Sequence, residues 1–212
     1  MPPRATQVLR RGRKALEDLN LLKVLQSEIS HELSSTPFQD KKSSSQGDSA
    51  QESSSFALEW NSSQSQDVVL RRKSESGEEV AISALLGQET FDSEGEGNFP
   101  REVLMKVCVK KPGLSSILQF DCGVREKHVH GSDFDIHSAY YLESSTIPTS
   151  SVYRGPLFST LDPQLQDALK EYLVARGIGK NLTNFLLLTL HKKEQGQYVN
   201  WLQKLESFVA KD

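Results

Sequence analysis

The chain has 212 residues, enough for one domain with a sizeable core. Only 36% of them are hydrophobic, below the roughly 45–50% of ordinary globular chains, so part of the chain is expected to remain in loops. A net charge of −3 excludes a uniformly basic nucleic-acid binder. No apolar run approaches the roughly 20 residues that span a bilayer, so no membrane insertion is expected. The two cysteines, Cys108 and Cys122, are too few for a disulfide framework and read as free structural thiols.

Charge is unevenly placed. Residues 1–39 hold 6 Lys/Arg against 4 Asp/Glu, residues 40–100 hold 5 against 12, and residues 101–212 hold 14 against 12. The acidic middle favours basic proteins or ribonucleoprotein as partners through long-range attraction that salt weakens.

Residues 1–14, MPPRATQVLRRGRK, contain Arg4, Arg10, Arg11, Arg13 and Lys14 and no acid. That is the bias of an organelle targeting segment. The plainer alternative is a frayed basic start to the first helix. Leu16, Leu19, Leu22, Leu25, Ile29 and Leu33 recur every three or four residues and predict a helix over 15–34. Pro37 lies just beyond its end. Residues 39–55, QDKKSSSQGDSAQESSS, have almost no apolar content and read as a disordered linker.

From residue 56 the period changes towards two. Candidate strands are Phe56–Asn61, Asp67–Lys73, Glu79–Leu86, Glu102–Lys110, Ser116–Val124 and Phe134–Glu143. In the fourth, Val103, Met105, Val107 and Val109 share one face, and Lys111-Pro112-Gly113 is a turn signal into the fifth. Short strands joined by turns indicate an antiparallel sheet, expected over 56–158. Two helices follow, over 162–177 and 181–210. Asp162-Pro163 is a cap with proline in the first turn, and Gly177 suits a left-handed stop. Asn181 can cap the last helix, and Gly196 inside it invites a bend or break. Tyr198, Trp201, Leu202, Leu205, Phe208 and Val209 form a helix-pairing seam. The order of helix, sheet and two helices is an α+β fold, expected as a single domain over 15–212.

The sequence offers little chemistry. HVHGSDFDIH holds His128, His130, Asp133, Asp135 and His137, but matches no metal-ligand spacing. Arg176–Asn181, RGIGKN, lacks the first glycine and the Ser or Thr of a phosphate loop, and reads as a helix-to-helix turn. No nucleophile elbow or catalytic-thiol signature is present. The glycosylation patterns at Asn61 and Asn181 read as chance. Two further readings stand beside a binding protein. One is a nucleic-acid-binding regulator with a basic patch at Arg71, Arg72, Lys73, Lys110 and Lys111. The other is a small metal-binding enzyme using the His128–His137 cluster.

The carboxy-terminal third carries a resemblance. Tyr153-Arg154-Gly155-Pro156 with Phe158, Leu161-Asp162, Leu165-Gln166, Tyr172-Leu173 and Arg176-Gly177-Ile178 resemble the mitochondrial glycoprotein family. The match runs on through Leu182, Phe185-Leu186, Lys193-Glu194, Tyr198, Trp201-Leu202 and Leu205, and the first helix fits at Leu25, Glu28-Ile29 and His31-Glu32. LQFDCG (118–123) and SDFDIHSAYY (132–141) look like the plant branch. The resemblance implies a twisted seven-stranded antiparallel sheet flanked by one amino-terminal and two carboxy-terminal helices, with the seventh strand near Ser151–Phe158, and a homotrimeric ring. It also implies a mitochondrial matrix protein that is not an enzyme and acts as a chaperone-like scaffold in mitochondrial gene expression or respiratory-chain maintenance. No catalytic residue, cofactor, metal or small-molecule substrate is implied. This chain departs from the family in being only weakly acidic. The expected oligomer interface comprises Leu16, Leu19, Leu22, Tyr198, Trp201, Leu202, Leu205 and Phe208. The expected acidic partner-binding residues are Glu75, Glu78, Glu79, Glu89, Asp92, Glu94 and Glu96.

Overall fold

Among the described residues there are six strands, each hydrogen-bonded to the next in chain order. They are β1 (Ala57–Trp60), β2 (Val68–Lys73), β3 (Glu79–Leu86), β4 (Val103–Lys110), β5 (Ile117–Lys127) and β6 (Gly131–Leu142). Every neighbouring pair is antiparallel, so the sheet is a meander. This computed structural model describes residues 4–35, 56–88, 101–127, 131–143 and 153–211. The expected linker over 39–55 lies outside the described residues.

The strands bury one face. Val68, Leu70, Val80, Ile82, Ala84, Val103, Met105, Val107, Val109, Phe120, Cys122, Val124, Phe134 and Ile136 all belong to one core. Register places their side chains in rungs, such as Ile82 opposite Val107, and Val107 opposite Phe120. The same core receives Leu173 from α2 (Pro163–Val174) and Leu182, Leu186, Leu187 and Leu190 from α3 (Lys180–Val209). This explains the nearly all-round apolar LLLTL stretch, because that half of α3 packs deep in the core.

Local chemistry sets the breaks. Asp162 accepts a bond from the Gln164 amide at 2.9 Å, with Pro163 in the first turn of α2. At its other end the Ile178 and Gly177 amides bond back to the Leu173 and Val174 carbonyls. This is a Schellman stop, with Gly177 at φ +83°. The Thr183 amide bonds to the Gly179 carbonyl, so α3 starts one residue before Asn181, and Asn181 is not its cap. The helix runs unbroken through Gly196, where a Cβ would meet nothing within 4 Å.

A seventh strand over Ser151–Phe158 is not found among the described residues. Residues 153–157 make no ladder, and Phe158–Thr160 is a short 3-10 helix. Gly155 adopts φ +85°, and Pro156 has no amide to donate, so this stretch is ill suited to pairing. Residues 151 and 152 lie outside the described residues.

The first helix, α1, spans Arg4–Ser34, so the basic segment is largely helical and the helix starts well before the expected residue 15. The single domain expected over 15–212 resolves into two compact units, one of residues 40–192 and one of residues 1–39 with 193–212. The second unit has its own small cluster of Leu25, Ile29 and Leu202, with Leu205 packed against it.

Candidate interaction surface

The smaller unit pairs α1 with the second half of α3. Gln195 bonds to Glu32 and to the Ser35 carbonyl, Tyr198 to Glu28 at 3.1 Å, and Gln26 to Glu206 at 2.9 Å. As numbers rise along α3 they fall along α1, so the pair is antiparallel. The carboxylate of Glu28 holds the Tyr198 phenol above its ordinary pKa through that hydrogen bond.

The eight residues expected at an oligomer interface divide into two groups. Leu202 is 3% exposed and belongs to the intrachain seam with Leu25 and Ile29. Leu205 packs against that seam, and Leu22 is half-buried. The others face outwards: Leu16 is 58% exposed, Leu19 48%, Trp201 54%, Phe208 79% and Tyr198 36%. Trp201 and Phe208 are seven residues apart and so lie on one flank of α3. The Tyr198 and Trp201 rings stack at 6.0 Å between centroids. Sequence periodicity put all of these residues in one class. It could not separate the seam from the flank, since both repeat every three to four residues.

The acidic residues also divide. Glu75 is exposed in the β2–β3 turn. Glu78 is ion-paired with Arg176 at 2.9 Å, their side chains only 16% and 17% exposed. Arg176 stacks on the Tyr172 ring, 3.4 Å from its centroid, and donates to the Tyr172 carbonyl. This constellation joins the β2–β3 turn to the end of α2. The partners stand 98 positions apart, and no local pattern announced it. Glu79 contacts Lys73 at 3.3 Å and Arg71 at 3.7 Å. The charges of Glu78 and Glu79 are therefore largely answered within the chain. Glu89, Asp92, Glu94 and Glu96 lie outside the described residues.

Strand register brings part of the suspected basic patch together, with Lys73 opposite Glu79 and Glu79 opposite Lys110. Carboxylates interleave it, since Arg71 bonds Glu59 at 2.9 Å as well as facing Glu79. The Arg72 guanidinium lies 5.0 Å over the Phe56 ring, in contact with a core residue. The arrangement is a mixed-charge surface rather than a positive field.

Nothing similar gathers at the histidine cluster. His128 and His130 lie outside the described residues. Asp133 pairs with Lys170 at 3.2 Å, and His137 stands 4.0 Å from Glu102, which Arg125 holds at 3.0 Å. Gly123 gives that trio room, because a Cβ there would sit 1.9 Å from the Glu102 carboxylate. Among the described residues no three His, Cys, Asp or Glu side chains could hold a metal ion. Both cysteines are free. Strand alternation turns them to opposite faces, and burial pushes the Cys122 thiol up to about 12. In the 181–183 glycosylation pattern Thr183 is fully buried, where it bonds Ser132.

The comparisons agree with this architecture. The profile of the mitochondrial glycoprotein family matches residues 25–209. The mitochondrial acidic protein mam33 of Schizosaccharomyces pombe is 28% identical over 150 residues, covering 62% of this chain and 54% of that protein. The chain thus matches about half the length of that curated relative. The p22 protein of Trypanosoma brucei superposes with a TM-score of 0.66 at 20% identity, over 92% of this chain and 100% of that one. A Leishmania major protein, described as a sequence homologue of human p32, gives 0.65 at 17% identity over 92% and 99%. At such identities the two structures speak for the fold alone.

Proposed function

Because this chain belongs to the mitochondrial glycoprotein family, we propose that it is a non-enzymatic, homo-oligomeric binding protein of the mitochondrial matrix. In this reading it acts as a scaffold or chaperone-like platform for mitochondrial gene expression or respiratory-chain maintenance. The supporting observation is the flank of Tyr198, Trp201 and Phe208, which stays exposed after the seam of its own chain is filled. Large aromatic side chains side by side on a surface mark protein contacts, because covering them removes much apolar area from water. With 54% of Trp201 and 79% of Phe208 open, covering the pair would remove roughly 250–300 Å² per chain, a gross gain of about 7 kcal/mol. That is the size of contribution a subunit interface needs against the cost of association. A trimer is the expected assembly. The acidic stretch 40–100, with Glu75 exposed on the β2–β3 turn, would then draw basic proteins or ribonucleoprotein.

Light scattering tests this on the wild type and on a Trp201→Ser, Phe208→Ser variant. The wild-type mass should lie near three times 23.7 kDa and fall in the variant, whose circular dichroism stays unchanged. A monomeric wild type would sink the oligomeric reading.

A further inference from the structure

Each helix of the smaller unit carries a second line of side chains beside the seam. On α1 the line is Glu17, Leu21, Val24 and Glu28, and on α3 it is Tyr198, Trp201, Leu205 and Phe208, each stepping by three and four residues. The Tyr198 phenol donates to Glu28 at 3.1 Å, so both lines lie on the same side of the pair. Because the helices run antiparallel, the stretch from Tyr198 to Phe208 passes the stretch from Glu28 back to Asp18. Leu21 and Val24 therefore stand alongside Trp201 and Phe208. Leu21 is 47% exposed, Val24 65%, Trp201 54% and Phe208 79%. The two carboxylates that bound the α1 line are answered within the chain, Glu28 by Tyr198 and Glu17 by Arg13 at 3.0 Å.

We propose that a second copy of this chain packs on this two-helix face, burying Leu21 and Val24 of α1 beside the aromatic flank of α3. Resting on the homo-oligomeric reading, it adds α1 to the contact. A helix packed against one neighbour needs one apolar line. A second line at the same spacing suits knobs-into-holes packing by a further helix. The helix pair of another copy supplies such helices ready-made. The area suits as well. Covering the open parts of Leu21, Val24, Tyr198, Trp201 and Phe208 would remove roughly 500 Å² per chain, so roughly 1,000 Å² from two copies, the least that a specific interface buries. Charge favours a like partner. Among the described side chains of the two lines none carries an unanswered charge that would select an acidic or a basic protein, and two like copies can approach without repulsion. Leu16 and Leu19 stand five and two residues before Leu21, so they point to other sides of α1 and are left out of this contact.

The test is the solution mass of the full chain across a dilution series, read by light scattering. Leu21→Ser with Val24→Ser should weaken assembly at least tenfold, on the order of what two lost aliphatic contacts cost. Circular dichroism should stay unchanged, because both side chains are exposed in the single chain. Leu16→Ser with Leu19→Ser should leave the mass as in wild type. If Trp201→Ser with Phe208→Ser dissociates the assembly and Leu21→Ser with Val24→Ser does not, α1 lies outside the contact, and this proposal falls while the oligomeric reading stands. Dissociation by Leu16→Ser with Leu19→Ser instead would place the contact on another side of α1 and overturn it too. A monomeric wild type would end both.

Discussion

Truncating Leu202 to alanine should loosen the helix pair and leave the sheet untouched. Among the described residues of the smaller unit only Leu25, Ile29 and Leu202 are buried, with Leu205 beside them. Leu202→Ala removes three carbons from a site 3% exposed, a transfer loss of about 2.4 kcal/mol at ~0.8 kcal/mol per carbon. A residual cavity adds to this, but a seam of two helices closes partly around the gap, so the sum should be about 3 kcal/mol. That raises the opening equilibrium of the pair on the order of a hundredfold. Native-state hydrogen exchange read by mass spectrometry would show it as faster exchange in peptides over 22–34 and 193–209. Peptides from β3, β4 and β5 should keep their protection, because their core is a separate cluster. Phe208→Ala is the control. Its ring is 79% exposed, so about 40 Å² of contact is lost within the chain, about 1 kcal/mol at most. If Leu202→Ala leaves helix exchange unchanged, or accelerates the strands equally, the division into two separately packed clusters is wrong.

Glu78→Gln should cost about 2–4 kcal/mol in urea unfolding, because it leaves the Arg176 guanidinium shielded against Tyr172 without its counter-charge. A loss under 0.5 kcal/mol would show that solvent already satisfies Arg176. Acid should destabilise the chain partly through His191, which is buried with Nδ1 bonded to the Leu187 carbonyl. Burial holds its pKa below the ordinary value of about 6.5. The unfolded chain therefore takes up this proton first. Stability from His191 is complete above that value and lost as pH falls from it towards the folded pKa, by up to about 1.4 kcal/mol per pH unit. Comparing wild type with His191→Leu at pH 7.5 and 5.5 should show a shallower pH dependence in the variant. Parallel curves would remove His191 from the account.

Most of the fold was legible in the chain because its signals are local. Alternation in Val103–Lys110 requires only that one face be buried, and the strand appears there as expected. Asp162-Pro163 and Gly177 act through hydrogen bonds a few residues away, and they bound α2 as read. The departures have physical causes too. The seventh strand implied by family likeness is not found among the described residues, where Gly155 takes φ +85° and Pro156 has no amide to donate. Three- and four-residue spacing placed Leu202 and Trp201 in one apolar class, since a helix has several faces and sequence does not say which one a neighbour fills.

The sequence by itself therefore located most of the helices and strands, and the apolar face of Val103–Lys110. Only the tertiary structure decided which charges and apolar side chains remain available. Glu78 and Arg176 meet across 98 positions, and Leu202 is covered by Leu25 and Ile29 from the other end of the chain. Such pairings depend on where chain folding brings distant segments, and no periodicity within one segment encodes that. The exposed aromatic flank is what those pairings leave open.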